Sequence, residues 1–320
     1  MRFLSRTLLA GFCLGFAVTA SAKTSFPFAG STVELLDSAE AAAGNGRSDA
    51  YTRALTPFDL SMRLGKPSGL TEQDYLREAA EAVSSWPESE VVQLKAAFDA
   101  LAKAVQAHGL KLHLPATIQM IKTSGNEEFG AEGYTRGTRI MLNTEAQPLG
   151  MHLVAHELFH VISRNNASLQ DRAYAVFGFR RINKIDFSKA ADGQAITNPD
   201  CPTIEHAIAL GDAGATKDYA LLLYSRLPFT ENANLGEIAA IGLLQLTGSE
   251  GVKKAATTSS GEPIVLELSD VPGLFKKIGS NTQYVLHPEE ISAEHFAMLV
   301  SEEQVQEPAY LAKMEKALQQ

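Results

Sequence analysis

The chain has 320 residues, 45% of them hydrophobic, with 28 Lys and Arg against 37 Asp and Glu for a formal charge of −9. An acidic balance of this size excludes nucleic acid and anionic membrane surfaces as main partners, because both select basic faces. Length and apolar content together support an ordinary buried core, expected in two lobes.

In chain order, residues 1–22 read as an export signal. Arg2 and Arg6 supply its positive end, residues 8–19 an apolar stretch, and Ala20-Ser21-Ala22 a small-residue cleavage site. The stretch is shorter than the ~20 residues a membrane-spanning helix needs. The expectation is an exported protein, periplasmic or secreted, that begins at Lys23 and has no membrane span. Cleavage takes two Arg and no acid from the total, leaving 26 basic and 37 acidic residues and a balance of −11. Bulky Phe12 argues against lipid attachment at Cys13. Cys201 is then the one remaining cysteine, so no internal disulfide can form.

Residues 23–55 are rich in Ala, Ser, Gly and Asp without sustained periodicity, and are expected to be a loosely ordered N-terminal segment. A unit over 56–200 follows, helical at first. Thr56-Pro57 opens a short helix stopped at Gly65-Lys66-Pro67, and Thr71-Glu72-Gln73-Asp74 reads as a capping box for a helix over 75–86. Residues 87–107 space Val91, Leu94, Phe98, Leu101 and Val105 by threes and fours, an amphipathic helix ending before Gly109. Residues 115–123 and 138–143 alternate as strands, with a glycine-rich turn containing Tyr134 between them. An extended substrate could pair with 138–143 if that strand is an exposed edge.

The next segment carries the chemistry. His156-Glu157-Leu158-Phe159-His160 lies in an apolar-periodic helix over 149–164, with Pro148 in its first turn and Asn165-Asn166 at its end. Residues four apart on a helix differ by about 40° around the axis and about 6 Å along it, so both imidazoles can face one metal ion. Glu157, turned about 100° away, flanks that ion as a general base rather than a ligand. Catalytic zinc usually takes three protein ligands, so a third is required. Position 166, where a further His would complete one known arrangement, is Asn. His152 lies about 12 Å from His160 along the helix and reads as a packing or outer-shell residue.

The lobe over 201–320 adds strand candidates at 219–226 and 263–268, then a helix opened by Pro288. On that helix Glu290 and Glu294 share a face: one carboxylate for the metal, one to accept the other ring N–H of a ligating histidine. Glu205, Glu237, Glu289 and Glu294 remain as rivals for the third ligand. Glu289 suits a solvated helix start.

Together with the His-Glu-x-x-His run, Glu290-Ile291-Ser292-Ala293-Glu294 resembles the E-x-x-A-(D/E) pattern of the gluzincin branch of zinc metallopeptidases. Residues 163–166, 174–179 and 197–200 also resemble phrases of exported bacterial proteins with this motif. The resemblance covers the two helices, and the 130 positions between His160 and Glu290 imply an inserted subdomain. It implies an α+β fold: a zincin-like catalytic lobe of a small mixed sheet plus the motif helix, a helical N-terminal part and a mixed C-terminal lobe. Further implications are one Zn2+ held by His156, His160 and Glu290, Glu157 as base, Glu294 behind a ligating His, and hydrolysis of a peptide or protein. Candidate oxyanion donors are His287, Tyr284 and Tyr174. Two alternatives remain open: hydrolysis of a non-peptide amide of cell-wall type, and zinc binding without catalysis in the cell envelope.

Overall fold

The computed structural model describes residues 24–146, 148–212, 216–231 and 235–320. The expected export signal, with Cys13, lies outside the described residues. From Thr24 the chain forms a hairpin of β1 (Thr24–Phe28) and β2 (Ser31–Leu35), joined by Ala29-Gly30. Both turn residues have positive φ, 45° and 88°, as a two-residue hairpin turn requires. This corrects the expectation of loose order for 23–55. Phe26, Phe28, Val33 and Leu35 alternate inward beneath a small-residue composition, and Phe26 and Phe28 set their rings edge-on against Phe98 at 5.5 and 5.0 Å.

Helices α1 (Ser38–Asn45), α2 (Pro57–Leu64) and α3 (Glu72–Glu81) follow, each opened by a capping box: Asp37 with Glu40, Thr56 with Asp59, and Thr71 with Asp74. Gly65, at φ 63°, ends α2. The third helix stops short of the expected Trp86 because β3 (Val83–Ser84) pairs with the end of a later strand, Val83 opposite Thr123. Helix α4 (Glu88–Ala107) buries Leu94, Phe98, Leu101 and Val105 of the expected stripe and leaves Val91 half-buried.

Strands β4 (Thr117–Thr123), β5 (Gly133–Arg136) and β6 (Arg139–Leu142) complete a six-stranded mixed sheet in the order β1-β2-β4-β6-β5, with β3 also on β4. The expected 138–143 strand is therefore interior and buried along its length. The edge is β5, which reverses through Gly137 to pair Tyr134 with Met141. Helix α5 (Met151–Asn165) carries the motif; it starts after Gly150, so Pro148 precedes it. Every residue of α5 from Leu153 to Ser163 is buried, which explains an apolar pattern that wraps most of the helix.

After α6 (Ala167–Ala175) a second, antiparallel sheet is built from β7 (Phe179–Ile185), β8 (Ile204–Leu210), β9 (Lys217–Ser225), β10 (Ala239–Thr247), β11 (Lys254–Ala255) and β12 (Val265–Glu267), with α7 (Leu235–Ile238) before β10. Helices α8 (Leu274–Ile278), α9 (Pro288–Val300) and α10 (Pro308–Leu318) close the chain. The fold is α+β, with two six-stranded sheets and ten α-helices among the described residues. Among them no helix is long and apolar enough to cross a membrane.

A division at 200/201 does not match this arrangement. β7 belongs with β8 in the second sheet, and α9 returns to pack along α5. One apolar core runs from Phe28 and Phe98 through Phe159 and Phe296 to Ile208 and Leu221. A buried ion network ties the N-terminal helices to it. Arg63 donates to Asp59 (3.0 Å), Glu128 (3.0 Å) and the carbonyl of Thr197 (2.7 Å), while Asp59 accepts from the Thr197 N–H and hydroxyl. Removing one member of such a cluster strands buried charge. Arg63→Ala should cost about 3–5 kcal/mol, read as a lower midpoint in urea unfolding.

Candidate metal centre

Two helices supply the centre. On α5, one turn brings the rings of His156 and His160 to 5.0 Å between centroids, nearly perpendicular at 79°. On α9, Pro288 takes the first helical position and His287 caps the start, its Nδ1 accepting from the Glu289 N–H at 3.1 Å. Small Ala293 and Ala297 lie fully buried on α9, as does Ala155 on α5. The carboxylates of the first α9 turn thereby reach the imidazoles.

The two Nδ1 atoms have distinct partners. His156 Nδ1 donates to Glu294 Oε1 at 2.9 Å, and His160 Nδ1 donates to Glu289 Oε1 at 2.9 Å. Both Nε2 atoms then turn toward Glu290 Oε2, at 3.2 Å from His156 and 3.6 Å from His160. Tetrahedral ligands at about 2.0–2.1 Å from zinc stand about 3.3–3.4 Å from one another; the two Glu290 distances are close to that spacing, and all three donors lie within 4.8 Å of one another, a group that could hold one ion. His160 Nε2 is buried and has no hydrogen-bond partner, so once it gives up its proton its lone pair is left for an ion. Glu290 Oε1 accepts from Asn198 Nδ2 at 2.7 Å, which presents Oε2 to the histidines.

Glu157 lies beside this group without joining it. Thr135 Oγ1 on the edge strand donates to Glu157 Oε2 at 2.9 Å. Gly133, on the same strand, makes room: a Cβ there would stand 2.6 Å from Glu157 Oε1. A cleft of about 530 Å³ opens in front, lined by residues 131–133, His152, Leu153, His156, Glu157, Tyr284 and Glu294. Burial pushes the Glu157 carboxyl up from its ordinary range, only partly offset by His160, His156 and the Thr135 hydroxyl.

Several expectations need correction. Glu289 is no solvated helix start: it is 2% exposed and also accepts from Ser163 Oγ and the Tyr174 hydroxyl. Tyr174 is buried and spent on Glu289, so it is no oxyanion donor. His287 is taken up as a helix cap, and burial holds its imidazole neutral, down to about 4. It does not border the Glu157 cleft. Tyr284 does border it, half exposed, with its ring 6.0 Å from that of His156. His152 sits beside Glu294 at 3.5 Å and bonds Glu303 at 2.6 Å. Glu205 pairs with Arg181 at 3.5 Å, and Glu237 is exposed on the short α7.

Sequence reading missed Asp200. Asn198 Oδ1 accepts from the Asp200 N–H at 2.8 Å, so the expected turn exists, and it directs both side chains inward. Asp200 Oδ1 accepts from the Thr135 N–H at 2.6 Å and stands 3.9 Å from His160 Nε2. Glu157, His160 and Asp200 thus form a second group of potential ligands that shares His160 with the first. A single Nε2 lone pair serves one ion, so the two groups are alternatives and not a dinuclear site.

The electrostatics of the metal-free protein follow from these contacts. Burial alone would lower the His160 pKa, but Asp200, Glu290 and Glu289 outweigh it and raise it to about 9. Burial is likewise outweighed at His156, where Glu290 and Glu294 raise the value. Glu290 is held down to about 2: His160, His156 and Asn198 overcome its burial. At pH 7 the His160 ring is therefore cationic and Glu290 ionised, and the same kind of carboxylate contact favours the protonated ring at His156. Titration with Zn2+ at pH 7 should therefore release at least about one proton per ion, from the His160 ring. Calorimetry in buffers of different ionisation enthalpy reads that number, and zero release contradicts the ligand set.

A family model described as the eCIS core domain matches residues 120–168, the stretch from within β4 to the start of α6 that contains both histidines and Glu157. No curated protein and no solved structure matches the chain.

Proposed function

We propose that this chain is a zinc-dependent peptide hydrolase with a zincin-like active site, exported to the periplasm or beyond. The observation that carries the reading is the meeting of His156, His160 and Glu290 donors from distant parts of the sequence, within 4.8 Å of one another, beside a buried Glu157 at the head of a cleft. A structural zinc site prefers four protein ligands and has no use for a base.

In this reading His156 Nε2, His160 Nε2 and Glu290 Oε2 would hold the ion. Zn2+, when bound, supplies a Lewis acid that polarises a carbonyl and makes water acidic. The other steps belong to the protein. Glu294 and Glu289 fix the histidine tautomers by accepting their Nδ1 protons, which keeps Nε2 free. Glu157, with its basicity raised by burial, takes the proton of the attacking water on one oxygen while Thr135 steadies the other, then returns it to the leaving amine. Tyr284, which lines the cleft with its ring 6.0 Å from that of His156, would be the donor to the developing oxyanion; burial around its hydroxyl and the nearby carboxylates keep the phenol protonated. A substrate would meet β5 at Gly133, which faces the cleft beside Glu157.

The eCIS core match favours a second reading, in which the β4-to-α5 segment serves a contractile-injection-system-related role. Zinc content and turnover separate the readings. Glu157→Gln should keep about one Zn per chain and lose peptide hydrolysis, while Glu290→Ala should lose the metal. Hydrolysis undiminished in Glu157→Gln removes the base assignment. Gly133→Ala supplies an independent check: the new methyl displaces Glu157, and turnover should fall about 100-fold with zinc content unchanged.

A further inference from the structure

The free side of β5 gives a substrate little main chain to pair with. Glu132 turns its carbonyl inward to accept from the Asn143 N–H, so Gly133 and Thr135 present their main-chain groups outward. At Thr135 both are already taken: the N–H by Asp200 Oδ1 at 2.6 Å, the carbonyl by Arg164 Nη2 at 3.4 Å. Arg164 also donates to the carbonyl of Gly137, just past the strand, at 3.0 Å. Among the described residues of β5 only Gly133 borders the cleft. Strand addition, which gives a peptide affinity without reading its side chains, is confined to that one residue. Selection falls to the side chains of the cleft.

Those side chains carry an excess of one sign. Glu132, exposed beside Gly133, and Glu294 on α9 both line the cleft, and no Lys or Arg does so among the described residues. Once His156 ligates a metal and is neutral, the cation left is His152, and its single ring meets two carboxylates, Glu303 at 2.6 Å and Glu294 at 3.5 Å. Charged or neutral, that ring leaves its end of the cleft negative. A zinc ion at the floor does not reverse the sign, because Glu290 and Glu289 already answer its two charges. The floor also keeps an acceptor open to a reactant. Glu157, 3% exposed, accepts from Thr135 through Oε2, while its Oε1 has no hydrogen-bond partner among the described residues and lies toward Gly133 on the cleft side. A cleft of about 530 Å³ with rims of like sign focuses their field inside it and gathers cations there.

Resting on the peptidase reading, we propose that the substrate carries a cationic side chain, Lys or Arg, beside the bond that is cut, and that the carboxylates of Glu132, Glu294 and Glu303 select it. Peptides of one sequence, with Lys, Ala or Glu placed in turn on either side of a cleavable bond, are incubated with the zinc-loaded protein and the products identified by mass spectrometry. At one of the two positions Lys should exceed Glu in kcat/KM by at least about 10-fold, a gap that shrinks as NaCl rises from about 0.02 to about 0.5 M. Glu132→Lys should raise KM for the Lys peptide and lower it for the Glu peptide with zinc content unchanged, whereas a merely structural loss would move both the same way. Glu303→Gln should shift the two values in those same directions by about 3-fold. Binding gives a readout without turnover: zinc-loaded Glu157→Gln should bind the Lys peptide more tightly than the Glu peptide in calorimetry, a preference removed when Glu132→Lys is added. Equal rates and equal binding across the Lys, Ala and Glu peptides, or a preference for Ala or Glu, overturn the inference alone. No hydrolysis of any peptide, those with Lys included, overturns the peptidase reading, and the inference falls with it.

Discussion

Buried charge on α9 can persist only where α5 answers it. Glu289 and Glu290 are 2% and 1% exposed at the start of the helix, and an unpaired carboxylate at that depth would surrender its charge. Each is held ionised by an imidazole one turn from the other, so the contact between the helices is set by chemistry as well as by shape. The alanines at this contact let the backbones approach, and the aromatic pair Phe159 and Phe296, 5.7 Å apart, packs beside it. The Glu289 cradle of Ser163 and Tyr174 and the Asn198 bond to Glu290 both depend on this pairing.

The centre is joined to the rest of the molecule through two loops. Residues 125–133 lead into β5 and are anchored by Glu127 and Glu128, whose carboxylates are buried among Tyr51, Tyr75, Tyr134 and Thr123. Residues 197–201 supply Asn198 and Asp200. Arg63 touches both loops, bonding Glu128 on one side and the Thr197 carbonyl on the other. A side chain on α2 thus spans the two segments that flank Glu157, although neither segment is near it in sequence.

Local signals were legible where the physics is local. The caps of α2 and α3, the stripe of α4 and the one-turn spacing of the two histidines depend on neighbours within a few residues, and the structure has each of them. The pairing of Glu290 with Glu294 could be read because four-residue spacing has one meaning on a helix. Strand position could not: interior β6 and edge β5 differ in what lies beside them, and that is decided by β4, some 20 positions away. The hairpin at 24–35 was hidden because its alternating Phe and Val sit in a stretch whose average composition is small and polar. Glu289 was misread for a related reason, since an acid at a helix start has the same local logic whether it faces water or a histidine. Asp200 carries no local mark beyond its turn, and its role depends on contacts with Thr135 and His160 across the fold.

The arrangement has a consequence for the order in which the protein is made. Both imidazoles and Glu157 leave the ribosome some 130 positions before Glu290, with the whole second sheet between them. Contacts of such separation are late and slow to form. A chain released or clipped before Pro288 would keep the two rings and Glu157 yet lack Glu289, Glu290 and Glu294, the carboxylates of α9 that meet the rings. Assembly of the His156, His160 and Glu290 group is thereby deferred until α9 has been made.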